Sequence, residues 1–171
     1  GSTATGRIVA KQCAERLIGF SAELGGKNPM LVLGDADVSR AAAGAVRACF
    51  ANSGQLCVSI ERIYVVAEHY DAFLREFVEA TSAMTLGAGT DWSIDMGPLI
   101  SPEQFERVKS QVADAVTRGA TVEVGGSARP ELGATFFEPT ILTGVTADMN
   151  LGRGETFGPV VAVYRVTDNA E

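Results

Sequence analysis

A thiol and two carboxylates mark the places where this chain could do chemistry. Cys57 closes the run Asn52-Ser53-Gly54-Gln55-Leu56-Cys57. Glu23 opens Glu23-Leu24-Gly25-Gly26-Lys27-Asn28-Pro29, and Glu155 leads Glu155-Thr156-Phe157-Gly158-Pro159. Each lies in its own glycine-punctuated turn, and together they are the parts of a covalent redox site. A thiolate adds readily to a carbonyl, and the thioester it forms is easily hydrolysed. Gly54 frees the backbone three residues before the sulfur, so a turn can present it at the end of a pocket. Backbone N–H groups at such a turn can stabilise a developing oxyanion. Glu23 ends a mostly apolar stretch, where partial desolvation would suit it to general-base work. Taken singly, each residue also has a plainer reading. Most free cysteines are small buried hydrophobes, and a lone glutamate or phenylalanine is commonly a surface or core residue.

Composition narrows the alternatives. The chain has 171 residues, 46% hydrophobic and 20% charged, with a net charge of −7. That is ordinary globular composition for a single domain with a real core. The negative charge argues against nucleic acid, which needs clustered cations. No window holds the roughly 18 consecutive apolar residues of a membrane span, and no signal peptide is visible. No Cys/His metal spacing exists, and His69, the only histidine, opens a helix after a strand, where a solvent-exposed role is expected; Cys-His and Ser-His-Asp catalysis, which need an imidazole base near the nucleophile, are therefore not expected. Three cysteines without framework spacing fit a reducing cytosol and free thiols. Cys13 and Cys49 are expected to be core or inert.

The elements that must position these residues alternate in type. Thr3 to Arg16 reads as a helix with Ile8, Val9, Cys13 and Leu17 on one face. Ile18 to Leu24 alternates like a strand, and Met30 to Leu33 is a short buried one. Asp37 caps a small-residue helix from Val38 to Ala51. Ile60 to Val66 is a β-branched strand, and Tyr70 to Met84 an amphipathic helix. Thr85 to Leu99 is a Gly-rich connection. Ser101 caps a helix with Pro102 at its first position, running from Glu103 to Arg118. Thr121 to Val124, Phe136 to Leu142 and Val160 to Val166 are further strands. Strands separated by helices imply an α/β fold, a mostly parallel sheet with helices on both faces. The stretches 85–95 and 125–133 read as surface loops.

The three motifs, in this order and at these separations, resemble the signatures of the aldehyde dehydrogenase superfamily, and the resemblance covers nearly all of the chain. It implies that Cys57 is the nucleophile and Glu23 the base that activates the hydrolytic water. Glu155 would hydrogen-bond the ribose that carries nicotinamide, a task suited to a carboxylate because it accepts two hydrogen bonds at once. Phe157 would pack beside that ribose. Gly1 and Ser2 resemble the family's glycine motif at a helix start, where free N–H groups and the helix dipole suit a pyrophosphate; Gly-Ser is also a common cloning remnant, but Thr3 and Gly6 continue the motif. Leu24 and Gly25 would border the same cofactor, NAD or NADP. The family usually has an acidic residue where this chain has Gly154. By the same resemblance the chain is expected to be a fragment, incomplete at both ends. Residues 1–22 would be a C-terminal remnant of the dinucleotide-binding domain and residues 23–171 a truncated catalytic domain.

Within the family the wording around Glu23 and Cys57 is most similar to succinate-semialdehyde dehydrogenases. A substrate with its own carboxylate calls for an Arg or Lys. Some members place an arginine at the position of Ala51; Arg47 and Arg62 are near in sequence, and a structural salt bridge is an equal expectation for each. Ser59 stands where some members carry a second cysteine, so a redox lock is not expected. Another aldehyde, aliphatic or betaine-type, is the alternative. The intact enzyme is expected to be a homodimer or homotetramer. The fragment alone is expected to be inactive, or, in a different reading, a non-catalytic dimerising unit built on the 38–51 helix.

Overall fold

The computed structural model describes residues 1–89 and 92–171. In chain order it contains α1 (Thr3–Glu15), β1 (Asn28–Val32), α2 (Val38–Phe50), a 3-10 turn (Ala51–Gly54), β2 (Ile60–Val66) and α3 (Ala67–Ser82). There follow α4 (Pro102–Thr117), β3 (Thr121–Val124), β4 (Thr140–Thr143), α5 (Asn150–Arg153) and β5 (Val160–Val166). The strands form one sheet in the order β1-β2-β5-β4-β3. All neighbours are parallel except β3, which runs antiparallel to β4.

Parallel strands need helical crossovers, and these cover both faces. Strand alternation divides the core accordingly. Val161 and Val163 of β5 join Ile63 and Val65 of β2 against Ala42, Ala45 and Phe50 of α2 and Phe73 and Phe77 of α3. Val160 and Ala162 point the other way, with Leu142 of β4, onto Val108, Val112 and Ala115 of α4. Each fully buried Val, Ile or Phe contributes about 1.5–3 kcal/mol. The caps follow the sequence: Asp37 accepts from Arg40 N–H at 3.0 Å, and Ser101 accepts from Gln104 N–H at 3.2 Å with Pro102 in the first turn.

Several expectations need correction. Residues 18–24 carry no regular structure, and none of the described residues pairs with them as a strand. Their alternation was real, yet Ile18 and Phe20 remain exposed, so nothing fixes them as a ladder. The apolar stripe of α1 is exposed too, with Ile8 61% accessible; only Gly6 of that helix is buried, beneath Leu24. Cys13 is therefore partly exposed, whereas Cys49 is buried. The strand expected from Phe136 begins at Thr140, because Pro139 supplies no N–H and Phe137 makes only an isolated bridge to Ala128. The 85–95 connection lies outside the described residues at 90 and 91. His69 is half-buried, its Nε2 3.0 Å from the Gly34 carbonyl oxygen. Among the described residues no helix is long and apolar enough to cross a membrane.

Candidate active site

Each of the three motifs immediately precedes a parallel strand: Glu23 to Gly26 before β1, Cys57 before β2 and Glu155 to Phe157 before β5. Those strands are consecutive in the sheet. Parallel neighbours start at the same end, so segments more than a hundred residues apart in sequence meet along one edge.

The Cys57 turn is built from three consecutive left-handed residues, Asn52 (φ 52°), Ser53 (φ 56°) and Gly54 (φ 68°). A non-glycine residue there costs on the order of 1–3 kcal/mol and persists only if its surroundings hold it. Here Ser53 Oγ donates to the Gly97 carbonyl at 2.8 Å, and Gln55 Oε1 accepts from Ile100 N–H at 2.9 Å. Gly54 is required twice over, because a Cβ there would also lie 2.2 Å from the Gly158 carbonyl oxygen. On the far side of the sulfur, Asn28 Nδ2 donates to the carbonyls of Cys57 (2.6 Å) and Ser59 (2.9 Å). Cys57 itself is exposed. The Cys49 thiol contrasts with it: burial, with the Glu61 carboxylate nearby, pushes its pKa far above the usual range.

The Glu155 loop is held from beneath. Glu61, 4% exposed, accepts from Thr156 N–H at 3.0 and 2.9 Å and from Phe157 N–H at 3.0 Å. Its Oε2 lies 2.7 Å from Lys27 Nζ. Burial pulls the Lys27 ammonium below its ordinary pKa, against the opposing pull of Glu61. Gln104 Nε2 donates to the carbonyls of Thr156 and Phe157, each at 2.8 Å. Arg107 Nη2 donates to the Glu155 carbonyl. Phe157 adopts φ 53° between these restraints.

The Glu23 loop touches both. The Glu155 carboxylate rests on Gly25, where a Cβ would lie 2.0 Å from Oε2, and Gly26 N–H donates to Oε1 at 3.1 Å. These glycines therefore serve close approach; neither has a left-handed φ. Glu23 is exposed, so the desolvation expected of it is not observed. Its carbonyl accepts from the amino group of Gly1 at 2.8 Å, and Ser2 caps α1 through Thr5 N–H at 3.1 Å.

All eight residues singled out from the sequence, Cys57, Glu23, Glu155, Phe157, Gly1, Ser2, Leu24 and Gly25, line one cleft of about 430 Å³, together with Gln55, Leu56, Gln104 and Arg107. Arg62 and Arg47 do not line it. Arg62 donates to the Lys27 carbonyl at 2.9 and 2.6 Å, and Arg47 is exposed on α2. Sequence reasoning missed Lys27, Asn28, Glu61, Gln104 and Arg107. Glu61 left a signal: on β2 it shares parity with Ile63 and Val65, so a carboxylate stood at a core-facing position. Gln104 and Arg107 are three apart on α4, one helical face, with nothing in their spelling to link them to Glu155.

A thiol, a carboxylate and a second carboxylate beside an aromatic thus gather at the starts of three neighbouring strands of one α/β sheet. The aldehyde dehydrogenase family model matches residues 1–171. The chain belongs to the aldehyde dehydrogenase family. It is 56% identical over its full length to a Mycolicibacterium smegmatis protein named "putative succinate-semialdehyde dehydrogenase (NADP+)", covering 33% of that protein. It superposes at a TM-score of 0.94 on an NAD+ complex of aldehyde dehydrogenase from Bacillus cereus, at 39% identity over 99% of this chain and 34% of that one. The succinate-semialdehyde dehydrogenase from Burkholderia pseudomallei gives 0.94 and 40% identity over 99% and 35%. The chain thus spans about a third of the length of the relatives it matches.

Proposed function

We propose that this chain carries the reacting groups of an NAD(P)-dependent dehydrogenase that oxidises an aldehyde, succinate semialdehyde first among candidates, to its carboxylic acid. The observation that carries this reading is the convergence of Cys57, Glu23, Glu155 and Phe157 on one cleft. Residues 1–22 then belong to the dinucleotide-binding part of the whole enzyme and residues 23–171 to its catalytic part. The names of the similar proteins specify NADP+ or NAD+, and these support the cofactor and substrate classes.

The lining of the cleft offers groups that suit parts of a dinucleotide. Glu155 lies against a glycine backbone that leaves its carboxylate room, and it is the acceptor a ribose diol needs. Phe157 lines the same wall. The capped start of α1 borders the cleft at Gly1 and Ser2, where helix N–H groups suit phosphate. When bound, the nicotinamide supplies the hydride acceptor. The chain's own residues do the rest. The exposed Cys57 thiolate adds to the aldehyde carbon and holds the resulting tetrahedral adduct through a C–S bond. Loss of hydride leaves a thioester on the sulfur. Glu23 takes a proton from water, the hydroxide attacks that carbonyl, the C–S bond breaks and the acid leaves. Glu155 and Phe157 orient, and the Asn28 hydrogen bonds hold the sulfur-bearing turn in place.

Replacing Cys57 by serine in the whole enzyme should abolish aldehyde-dependent reduction of NAD+ and NADP+ while leaving dinucleotide affinity intact. Undiminished turnover would end this reading.

A further inference from the structure

Glu61 is a charged side chain in a place where an apolar one would be expected. It follows the buried parity of β2, and it is 4% exposed. A buried carboxylate is costly unless paired and hydrogen-bonded, and Glu61 is both. Its two oxygens accept from Thr156 N–H, Phe157 N–H and Lys27 Nζ, at distances between 2.7 and 3.0 Å. Lys27 also approaches Thr156 Oγ1 at 3.4 Å. The donors come from two loops that line the cleft and none from the core that Glu61 faces. Phe157, held in a left-handed conformation, is gripped at its N–H by Glu61 and at its carbonyl by Gln104.

We propose that Glu61 is a positioning residue for dinucleotide binding: anchored by Lys27, its carboxylate fixes the backbone at Thr156 and Phe157 and so sets where Glu155 and the Phe157 ring meet the cofactor. This inference rests on the function proposed above. It also gives the Lys27 side chain a purpose in the Glu23 loop, tying that loop to the cofactor loop through a group outside both. Cys57 lies outside the clamp, since its turn is held by Asn28, Ser53 and Gln55.

The test uses the whole enzyme and NADPH as the titrated probe. Glu61→Gln removes the charge and one of the shared acceptors while keeping the shape. The dissociation constant for NADPH should rise by about tenfold or more, with the labelling rate of Cys57 within about twofold of wild type. Amide exchange at Thr156 and Phe157 should accelerate at least about tenfold while β2 and β5 keep their protection. Lys27→Met/Glu61→Gln leaves no unpaired buried ammonium and covers the case in which the single variant fails to fold; it should show the same two shifts. In a folded variant, unchanged NADPH affinity or unchanged exchange at 156–157 overturns the clamp. So does a uniform loss of protection across the sheet, the mark of a merely structural ion pair. If the wild-type protein oxidises no aldehyde, the functional reading falls by itself, and titration and exchange still decide the role of Glu61.

Discussion

Gly25→Ala should separate the making of this site from the making of the fold. The backbone at Gly25 is not left-handed, so alanine is conformationally allowed there and should add about 0.4–1 kcal/mol by restricting the unfolded chain. The new Cβ would lie 2.0 Å from Glu155 Oε2 and 2.4 Å from Oε1 and Cδ. Ordinary contact begins at 3.4 Å, so the carboxylate must retreat by about 1.4 Å. It can do so, being the end of a half-buried flexible side chain. The retreat breaks the 3.1 Å bond from Gly26 N–H, a net loss of about 0.5–1.5 kcal/mol. The two stability effects nearly cancel, and urea unfolding should place the variant within about 1 kcal/mol of wild type. Function should not be spared. A displacement near 1 Å at a positioning group costs up to roughly 100-fold, so kcat/KM for the dinucleotide should fall by about 10- to 100-fold. Steady-state kinetics of the whole enzyme at saturating aldehyde, paired with its unfolding curve, measures both. A folded variant with wild-type kinetics for the dinucleotide would refute the placement of Glu155 against Gly25.

Gly54→Ala should behave in the opposite way, because its Cβ would meet the backbone carbonyl of Gly158 at 2.2 Å in a left-handed conformation. Neither can yield cheaply, so chemical denaturation should show a loss above about 2 kcal/mol. Cys49 offers a pH test. Burial raises its pKa in the folded protein, so the thiol stays neutral there while the unfolded chain ionises above about pH 8.5. Its contribution is intact below that pH and declines as pH rises beyond it. Between pH 8.5 and 10 the stability of Cys49→Ala should therefore fall less steeply than that of wild type, by up to about 1.4 kcal/mol per pH unit; identical slopes would show that the thiol is not protected from ionisation.

The three turns that line the cleft were legible because each is spelled locally. A glycine three residues before a thiol, two glycines after a carboxylate, and a Glu-x-Phe before Gly-Pro each describe a few residues of backbone. The sheet was legible from β-branched runs such as Ile60 to Val66, flanked by helices with caps at Asp37 and Ser101. What hid was whatever depends on a partner distant in sequence. The alternation of 18–24 matched a strand template with no neighbour to complete it. The face of α1 has an amphipathic period, but burial needs a second surface, and the helix is buried only at Gly6, beneath Leu24. Gly25 marks a turn by its spelling alone, but its close approach to a carboxylate depends on Glu155, 130 positions later. Lys27 and Asn28 read as the tail of a motif, yet they join all three turns: Lys27 reaches Glu61, and Asn28 reaches Cys57.

The three successive left-handed residues before Cys57 do not owe their conformation to their own sequence. Isolated peptide would not dwell in that conformation. What holds it is the carbonyl of Gly97, the amide of Ile100 and the close approach of Gly158, contributed by chain synthesised 40 to 100 positions later. The conformation before Cys57 therefore depends on tertiary contacts from the α3–α4 connection and from the approach to β5. A chain lacking those later segments carries Cys57 without the contacts that hold its turn.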